Sequence, residues 1–535
     1  MSSYISLENK SDIEVVSSVF ISLLANQAEL TSIPINTKEK LISSLLIDLD
    51  ENGVQQKWNN NVRLLALQTL KILGRDANGC DLLFSDEGFK ILLTHAKLQQ
   101  SSETKSDTPV TQESLTCIAN MLLLKECTRD LLYKYKGISS VCQLLKDNGI
   151  SIKTQFLLSR ILFLMTIKPQ PVVQSLIDNL GIIDILHNSL NKLVDQLNSS
   201  LKEDTNSLPI TRVMVLNEQL KLLFNLMMND PEVERDNLVQ GERKSVEVSN
   251  KDNVNKFENL LLPTLKILLK VPISTQLPLS PPHSHAIHAL LNFPIEPYKS
   301  IWFPPSLSSK KEQYIICYNL IDTLKSIIYM VDPDKENVAT GVVSKNDPDF
   351  DEIITPLVVL LRKIAEEDNN AKILIREELL PDNIDRSKPL EKGNSLSARL
   401  IRLMTSVMLP HLKNNVSELL FALCDQDANL FVHHVGYGNA AGFLLSKNIM
   451  ISPSSSNTTY SDRPINPITG QYYDTELPSL SNMTDEEKER EAEKLFVLFE
   501  RLKKTGVMDV VNPVEEAIKS GKIQEYKEKE DEKDD

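Results

Sequence analysis

Glycine and aromatic residues are scarce in this sequence. Its 535 residues include only 16 glycines, and phenylalanine, tryptophan and tyrosine together make up 5%. An average chain carries about 7% glycine, and β-strands are enriched in β-branched and aromatic residues. The composition therefore favours helix over sheet. Because a chain of this length exceeds one compact core of ordinary size, we expect several domains or an elongated helical array.

Paired cysteines, targeting signals and a basic surface are lacking as well. No C-x-x-C pair occurs, so the six cysteines are typical of free thiols in a reducing compartment. No stretch approaches ~18 uninterrupted apolar residues, and the N-terminus lacks the apolar core of a signal peptide. The net charge of −15 argues against a nucleic-acid partner. We expect a cytoplasmic monomer that does not insert into membranes.

Helical periodicity recurs along most of the chain. The clearest apolar segments are 62–73, 115–124, 156–166, 216–228, 260–269, 353–364 and 398–408. Each is apolar around more than one stripe, so each helix needs neighbours on two sides. Stacked helical pairs provide such neighbours. We therefore predict an all-α, armadillo/HEAT-like superhelix, or α-solenoid, over residues 1–450.

The composition changes after residue 450. Residues 451–482 are rich in serine, threonine and asparagine, which predicts a flexible linker. A capping box at Thr484 then opens helices predicted over 483–520, and a charged, disordered tail follows over 521–535. The first of these helices is amphipathic, and its predicted apolar face includes Leu495, Phe496, Phe499 and Leu502. It either docks on a partner or packs on its own solenoid.

No catalytic constellation is evident. The run from Gly74 to Gly79 has the glycine spacing of a phosphate-binding loop, but Cys80 and Asp81 stand where Lys and Ser/Thr are required. We therefore interpret it as a turn at a helix end. His283, His285 and His288 could present metal ligands, although no cysteine or carboxylate cluster accompanies them. We predict no cofactor and no metal. A long helical array without a reactive centre usually binds another macromolecule.

One polar pattern repeats within the apolar helices. Asn120, Asn225 and Asn292 each lie near the end of an apolar helical segment, although asparagine is a poor helix former. If these helices line one face, the carboxamides can donate to and accept from a bound peptide backbone. The structural alternative is that each asparagine caps a neighbouring helix.

Cations and aromatic side chains lie on the same segments. Lys71, Arg75 and Arg160 could hold carboxylates, including a chain terminus. Phe163 and Phe224 could anchor a bound helix or extended segment. The alternatives are a solvated charged face and buried core aromatics.

A family resemblance rests on several local signatures. The chain resembles synembryn, the resistance-to-inhibitors-of-cholinesterase family, over roughly residues 60 to 505. The glycine motif and the Asn-Pro motif, in this order and at this distance, are the most specific. The matching segments are Leu70-Lys-Ile-Leu-Gly-Arg-Asp76, Leu220-Lys-Leu-Leu-Phe-Asn225, Arg399-Leu-Ile-Arg-Leu-Met404, Gly436-Tyr-Gly-Asn-Ala-Ala-Gly442, Asn466-Pro-Ile-Thr-Gly470 and Met483-Thr-Asp-Glu-Glu-Lys-Glu489.

The resemblance implies a guanine-nucleotide exchange factor and folding chaperone for heterotrimeric G-protein α subunits (Gα). It implies that the concave face of the solenoid captures the C-terminal helix of GDP-bound Gα, that GDP leaves, and that the nucleotide-free Gα stays bound until GTP arrives. Six residues match that face: Lys71, Arg75, Asn120, Phe163, Phe224 and Asn225. Some members of the family have arginine at the position of Lys71.

The resemblance also covers the C-terminal part of the chain. It implies that the helix over 485–504 braces the opened Gα and that Gα recruits the protein to the cell cortex or plasma membrane. Animal members carry activating phosphorylation sites in an acidic stretch before the Asn-Pro motif. Here only Thr459 has an acidic residue three positions on, so Thr459 is the one candidate phosphosite in that stretch.

Two alternatives remain open at this point. An armadillo-type adaptor would bind linear peptides with the same asparagines and would have no exchange activity. A metal-dependent enzyme would use the three histidines between 283 and 288.

Overall fold

The computed structural model describes most of the predicted solenoid. Its described residues are 2–99, 107–147, 149–167, 171–199, 210–229, 256–273, 279–305, 309–330, 349–407, 409–449, 465–466 and 469–472, with single positions 484, 490 and 494. They form two compact units, which divide between Lys372 and Ile373.

The secondary structure of the described residues is helical, apart from one isolated antiparallel bridge between Ile465 and Tyr472. The short 3₁₀ helices are Val54–Lys57, Glu296–Tyr298 and Leu390–Lys392. The α-helices are α1 (Ser2–Ile5), α2 (Ile13–Ala25), α3 (Gln27–Thr31), α4 (Ile35–Leu49), α5 (Asn60–Leu73), α6 (Asp86–His95), α7 (Pro109–Leu124), α8 (Cys127–Lys134), α9 (Gly137–Leu145), α10 (Ile152–Met165), α11 (Val172–Asp178), α12 (Ile182–Ser199), α13 (Arg212–Met228), α14 (Glu258–Lys270), α15 (His283–Leu290), α16 (Lys299–Trp302), α17 (Lys310–Gln313), α18 (Ile315–Met330), α19 (Asp349–Glu367), α20 (Asn369–Leu379), α21 (Leu396–Leu403), α22 (Pro410–Leu423), α23 (Ala428–Val435) and α24 (Tyr437–Ser446).

The helices of the first unit stack in two layers. One layer, here called the front layer, consists of α2, α5, α7, α10, α13, α15 and α19, each in contact with the next. The back layer consists of α4, α6, α8, α9, α12, α14 and α18, and its members contact their front-layer partners. A helix between two layer neighbours and a partner buries most of its circumference, which explains why the sequence segments are apolar on more than one stripe.

Side-chain caps start several of the front-layer helices. The carboxamide of Asn59 accepts from the Val62 amide at the start of α5, and Ser151 does the same for Thr154 at the start of α10. At α7, Thr108 and Thr111 form a reciprocal capping box. Such caps satisfy amides that have no partner inside the helix. The helix starts are therefore encoded locally.

The second unit contains α21 to α24 and the end of α20. Phe421, Phe431 and Phe443 stack edge to face, with ring centroids 5.4 to 5.7 Å apart, and join α22, α23 and α24. His434 lies in the last turn of α23 and is buried, in agreement with a packed helix end. The turn from α23 to α24 passes through Gly436, whose φ is +79°.

The predicted all-α, helical-repeat solenoid is confirmed in the first unit. Among the described helices, none is long and apolar enough to cross a membrane. The predicted linker is described only at 465–466 and 469–472, and the helices over 483–520 only at three single positions. The tail over 521–535 lies outside the described residues, so these domain boundaries remain predictions.

Candidate protein-binding face

The residues predicted to bind a partner in the first unit all belong to the front layer or to the turns that follow its helices. Their places are Lys71 in α5, Arg75 just after it, Asn120 in α7, Arg160 and Phe163 in α10, Phe224 and Asn225 in α13, and Asn292 two residues after α15. These five helices and the turns after them are consecutive in the layer. The structure therefore brings the predicted residues onto one ladder of adjacent helices.

Lys71 is held by a buried carboxylate. Its Nζ lies 2.6 Å from Oε2 of Glu113 in α7, and Nζ of Lys153 in α10 lies 3.2 Å from the other oxygen. The Glu113 side chain is only 7% exposed. Two ammonium groups compensate the hydration that this carboxylate loses on burial. This cluster joins three front-layer helices and carries a net charge of +1.

Arg160 takes part in a second cluster of the same kind. Nη1 of Arg160 lies 3.5 Å and Nζ of Lys221 lies 2.7 Å from Oε1 of Glu218 in α13. The second carboxylate oxygen of Glu218 is buried and has no hydrogen-bond partner in the described part of the chain. Nζ of Lys221 also lies 5.4 Å from the ring centroid of Phe163, within cation–π range. Phe163 therefore has a half-exposed ring beneath a cation.

Arg75 and Asn120 are the least engaged of the predicted residues. The Arg75 side chain is exposed, and no described carboxylate forms an ion pair with it. Asn120 is half-buried, and its carboxamide makes no hydrogen bond to the described part of the chain. A guanidinium offers a planar fork of donors, and a carboxamide both donates and accepts. These two side chains can bind a partner without breaking an internal contact.

The remaining residues stay half-exposed, and Asn225 and Phe224 link neighbouring helices. Asn225 donates through Nδ2 to Oγ1 of Thr166 at 3.1 Å, which leaves its carbonyl oxygen as an acceptor. Asn292 donates to the carbonyl of His288 at 3.4 Å. The ring of Phe224 meets that of His288 edge to face, with centroids 6.2 Å apart. Asn225 and Asn292 are thus partly used within the fold, through a side-chain hydroxyl and a carbonyl of the preceding helix respectively, whereas Asn120 is not used by any residue that the structure describes.

Sequence reasoning missed the two buried glutamates and their second cations. Glu113 and Glu218 each stand in an otherwise apolar helix, where an ionised residue is rarely left unpaired. That signal could have identified them. Lys221 lies three positions after Glu218 on the same helix, so its spacing could have identified it as well, whereas Lys153 could be assigned only after α7 and α10 had been placed beside one another.

The three histidines serve the fold in separate ways. His283 is buried and hydrogen-bonds the carbonyl of Val271, and burial lowers its pKa. Burial, followed by the nearby charge of Lys221, lowers the pKa of His285 to about 4. His288 donates through Nδ1 to the carbonyl of Ser284 at 2.8 Å. Among the described residues, no group of His, Cys, Asp and Glu side chains could hold a metal ion.

The run from Gly74 to Gly79 is a turn after α5. The Lys38 ammonium donates to the carbonyls of Asp76 and Asn78, at 3.0 and 2.6 Å, and closes the loop. Because these carbonyls face a cation, the loop does not present the ring of amides that would hold a phosphate. The interpretation as a helix-end turn is confirmed.

The candidate residues of the C-terminal extension cannot be placed in the same way. The predicted apolar face made by Leu495, Phe496, Phe499 and Leu502 lies outside the described residues, as does Thr459.

Curated proteins named Chaperone Ric-8A are similar to this chain along most of its length. The protein from chicken (Gallus gallus) is 25% identical over 527 residues, which cover 90% of this chain and 89% of the relative. The mouse (Mus musculus) protein is 25% identical over 492 residues, covering 88% and 85%. The zebrafish (Danio rerio) protein is 25% identical over 481 residues, covering 83% and 81%. A solved engineered protein aligns with 84% of this chain and 94% of its own, at 15% identity and a TM-score of 0.42.

The family comparison spans the front layer from within α5 onwards, together with the C-terminal motifs. The model of the Ric8 family, described as guanine nucleotide exchange factor synembryn, matches residues 66–522. This span includes all the residues assigned above to the candidate face, and it covers far more than half of the chain. The protein therefore belongs to the Ric8 family, the synembryn guanine nucleotide exchange factors.

Proposed function

We propose that this protein is a non-receptor exchange factor and folding chaperone for G-protein α subunits. It binds GDP-bound Gα through the C-terminal helix of Gα, promotes the release of GDP and holds the nucleotide-free form until GTP binds. The chain itself performs no covalent chemistry. Membership of the synembryn family supports the activity. The observation that carries the binding mode is the ladder of half-exposed cationic, amide and aromatic side chains on consecutive front-layer helices.

Each type of side chain on this ladder has a role in holding a helix end. Arg75 pairs with a carboxylate, and the cationic clusters around Glu113 and Glu218 give the ladder a positive field for an acidic segment. Asn120, Asn225 and Asn292 satisfy the last carbonyls of the bound helix, which have no partner inside that helix. Phe163 and Phe224 supply apolar contact area. These residues hold the Gα helix against the front layer.

Exchange follows from reciprocal coupling. If binding of this protein weakens GDP binding to Gα, GDP weakens the binding of this protein by the same factor. Binding to an open Gα also stabilises that form by mass action, which accounts for chaperoning of new subunits. In this proposal the C-terminal extension braces the open Gα through Leu495, Phe496, Phe499 and Leu502, and Thr459 is its phosphorylation site.

The test is the rate of GDP release from purified Gα with and without this protein. We expect acceleration with intact Gα and none with Gα that lacks its C-terminal helix. Acceleration that survives the truncation would contradict capture of that helix. Binding without acceleration for every Gα subclass would favour a chaperone or a peptide-binding adaptor, and equal affinity for GTP-loaded and nucleotide-free Gα would exclude exchange by this route.

A further inference from the structure

The two most specific sequence motifs meet in the second unit. Gly436 and Gly470 both have positive φ, +79° and +73°, in the backbone region that glycine adopts at least cost. A Cβ atom on Gly470 would lie 3.5 Å from the Gly436 Cα and would clash with the Leu390 side chain. The turn that ends at Gly470 therefore lies against the turn between α23 and α24, and a side chain at Gly470 would displace Leu390 and strain the backbone.

A buried arginine fastens this contact. Nη1 of Arg386 donates to the carbonyl of Gly470 at 2.8 Å, and the amide of Tyr472 donates to the carbonyl of Arg386 at 3.2 Å. Arg386 is only 3% exposed, and no described carboxylate forms an ion pair with it. A buried guanidinium is costly unless its donors are satisfied. The buried Arg386 therefore needs the Gly470 carbonyl as an acceptor, and the same hydrogen bond holds the turn in place.

The segment holds its own shape at this position. The amide of Gly470 donates to the carbonyl of Asn466 and that of Asn466 to the carbonyl of Gln471, both at 2.8 Å. The bridge between Ile465 and Tyr472 closes the two ends. The described residues 465–466 and 469–472 therefore close into a turn, and its last described residue, Tyr472, lies beside Arg386.

We propose that this turn is an anchor that fixes the origin of the C-terminal extension, and that Arg386 is a positioning residue for exchange. The inference rests on the proposed function, in which that extension braces Gα. Without the anchor, 38 positions separate the end of α24 at Ser446 from the capping box at Thr484, whereas 12 separate Tyr472 from Thr484. For the linker that the sequence predicts, effective concentration falls as about the −3/2 power of length. The anchor therefore raises the effective concentration of the brace about fivefold.

The experiment compares Gly470→Ala with Gly442→Ala in two backgrounds, the full chain and a chain that ends at residue 482. Gly442 is the matched control, because a Cβ atom there meets nothing within 4 Å. Hydrogen exchange measured by mass spectrometry on peptides spanning 465–472 reports whether the turn is anchored. GDP release from purified Gα, measured against the concentration of this protein, reports whether the anchor matters for exchange. Arg386→Gln provides a second way of releasing the turn.

We expect Gly470→Ala to remove the protection of these peptides from hydrogen exchange. In the full chain it should raise about fivefold the concentration of this protein that gives half-maximal GDP release. In the shortened chain it should leave that concentration unchanged. Gly442→Ala should change neither. An equal effect in both backgrounds would overturn the inference, because the turn would then act through the fold of the second unit. Loss of protection from hydrogen exchange with an unchanged rate of GDP release would overturn it too. If the unmodified full chain does not accelerate GDP release at all, the proposed function fails. Rapid hydrogen exchange of the 465–472 peptides in the unmodified chain would separately exclude the anchor.

Discussion

The Nζ atom of Lys71 in α5 lies 2.6 Å from Oε2 of Glu113 in α7, so this lysine is already engaged within the fold. The exposed Arg75, four positions later, has no such partner among the described residues. A partner carboxylate can bind Arg75 directly, but at Lys71 it competes with an internal anion. Lys71 and Arg75 therefore have different roles.

Charge reversal at Arg75 tests the binding face. We expect Arg75→Glu to weaken the affinity for nucleotide-free Gα about tenfold, or ~1.4 kcal/mol, because an attractive charge becomes repulsive in the proposed interface. The melting temperature should not change, since Arg75 forms no ion pair with any residue that the structure describes. Affinity is measured by biolayer interferometry.

Lys40→Glu is the matched control, because Lys40 is also exposed but lies on the back-layer helix α4. Equal losses of affinity from the two reversals would show a general effect of net charge. Unchanged affinity for Arg75→Glu would remove Arg75 from the site.

The Glu113 carboxylate has a structural role that its neutral isostere should reveal. We expect Glu113→Gln to lower the free energy of unfolding by about 1–3 kcal/mol, because hydrogen bonds from two ammonium groups to a charged acceptor are lost in a buried position. Glu39→Gln, on an exposed part of α4, should change it by less than ~0.5 kcal/mol. Urea unfolding measures both variants, and equal stabilities would show that the cluster contributes nothing.

The sequence predicts much of the fold because its signals are local. Apolar periodicity and side-chain caps at Asn59, Thr108 and Ser151 depend on residues a few positions apart. The turn from Gly74 to Gly79 was also identified locally, because Cys80 and Asp81 stand where a phosphate-binding loop requires Lys and Ser/Thr.

The candidate site could be predicted only in part because its chemistry depends on distant pairs. Glu113 contacts residues about 40 positions away on both sides, and Glu218 is 58 positions from Arg160. Arg386 meets Gly470 across 84 positions. Spacing within one sequence carries no information on such pairs. The sequence likewise showed the glycine motif but not which of its three glycines the backbone requires. Only Gly436 has a positive φ.

Two glycines of that motif should respond oppositely to alanine. Gly436→Ala is expected to destabilise the second unit by about 1–2 kcal/mol, because an L-residue is strained at a φ of +79°. Gly442 lies inside α24 with open space where a Cβ would stand, so Gly442→Ala should stabilise by about 0.5–1 kcal/mol. Thermal unfolding of the two variants compares them directly, and a shift of the same sign in both would contradict the assignment.

Acid should destabilise the second unit through His434. Burial, followed by the charge of Arg376, lowers the pKa of His434 to about 4, and the side chain is 2% exposed. The groups around it are Arg376, whose Nη2 lies 3.4 Å from Nε2, and His433, Asp382 and Arg386. Because the unfolded chain binds a proton near pH 6.5 and the folded chain near 4, the stabilisation is present above pH 6.5 and is lost as the pH falls towards 4.

Between pH 7 and pH 5 the loss attributable to His434 should be about 1–2 kcal/mol. Urea unfolding at pH 7, 6 and 5 measures it, with His434→Gln expected to show a shallower decline than the unmodified protein whatever its stability at pH 7. His187→Gln, in α12 of the first unit, controls for the removal of a histidine as such. Parallel declines for all three proteins would show that His434 does not control the acid sensitivity of the second unit.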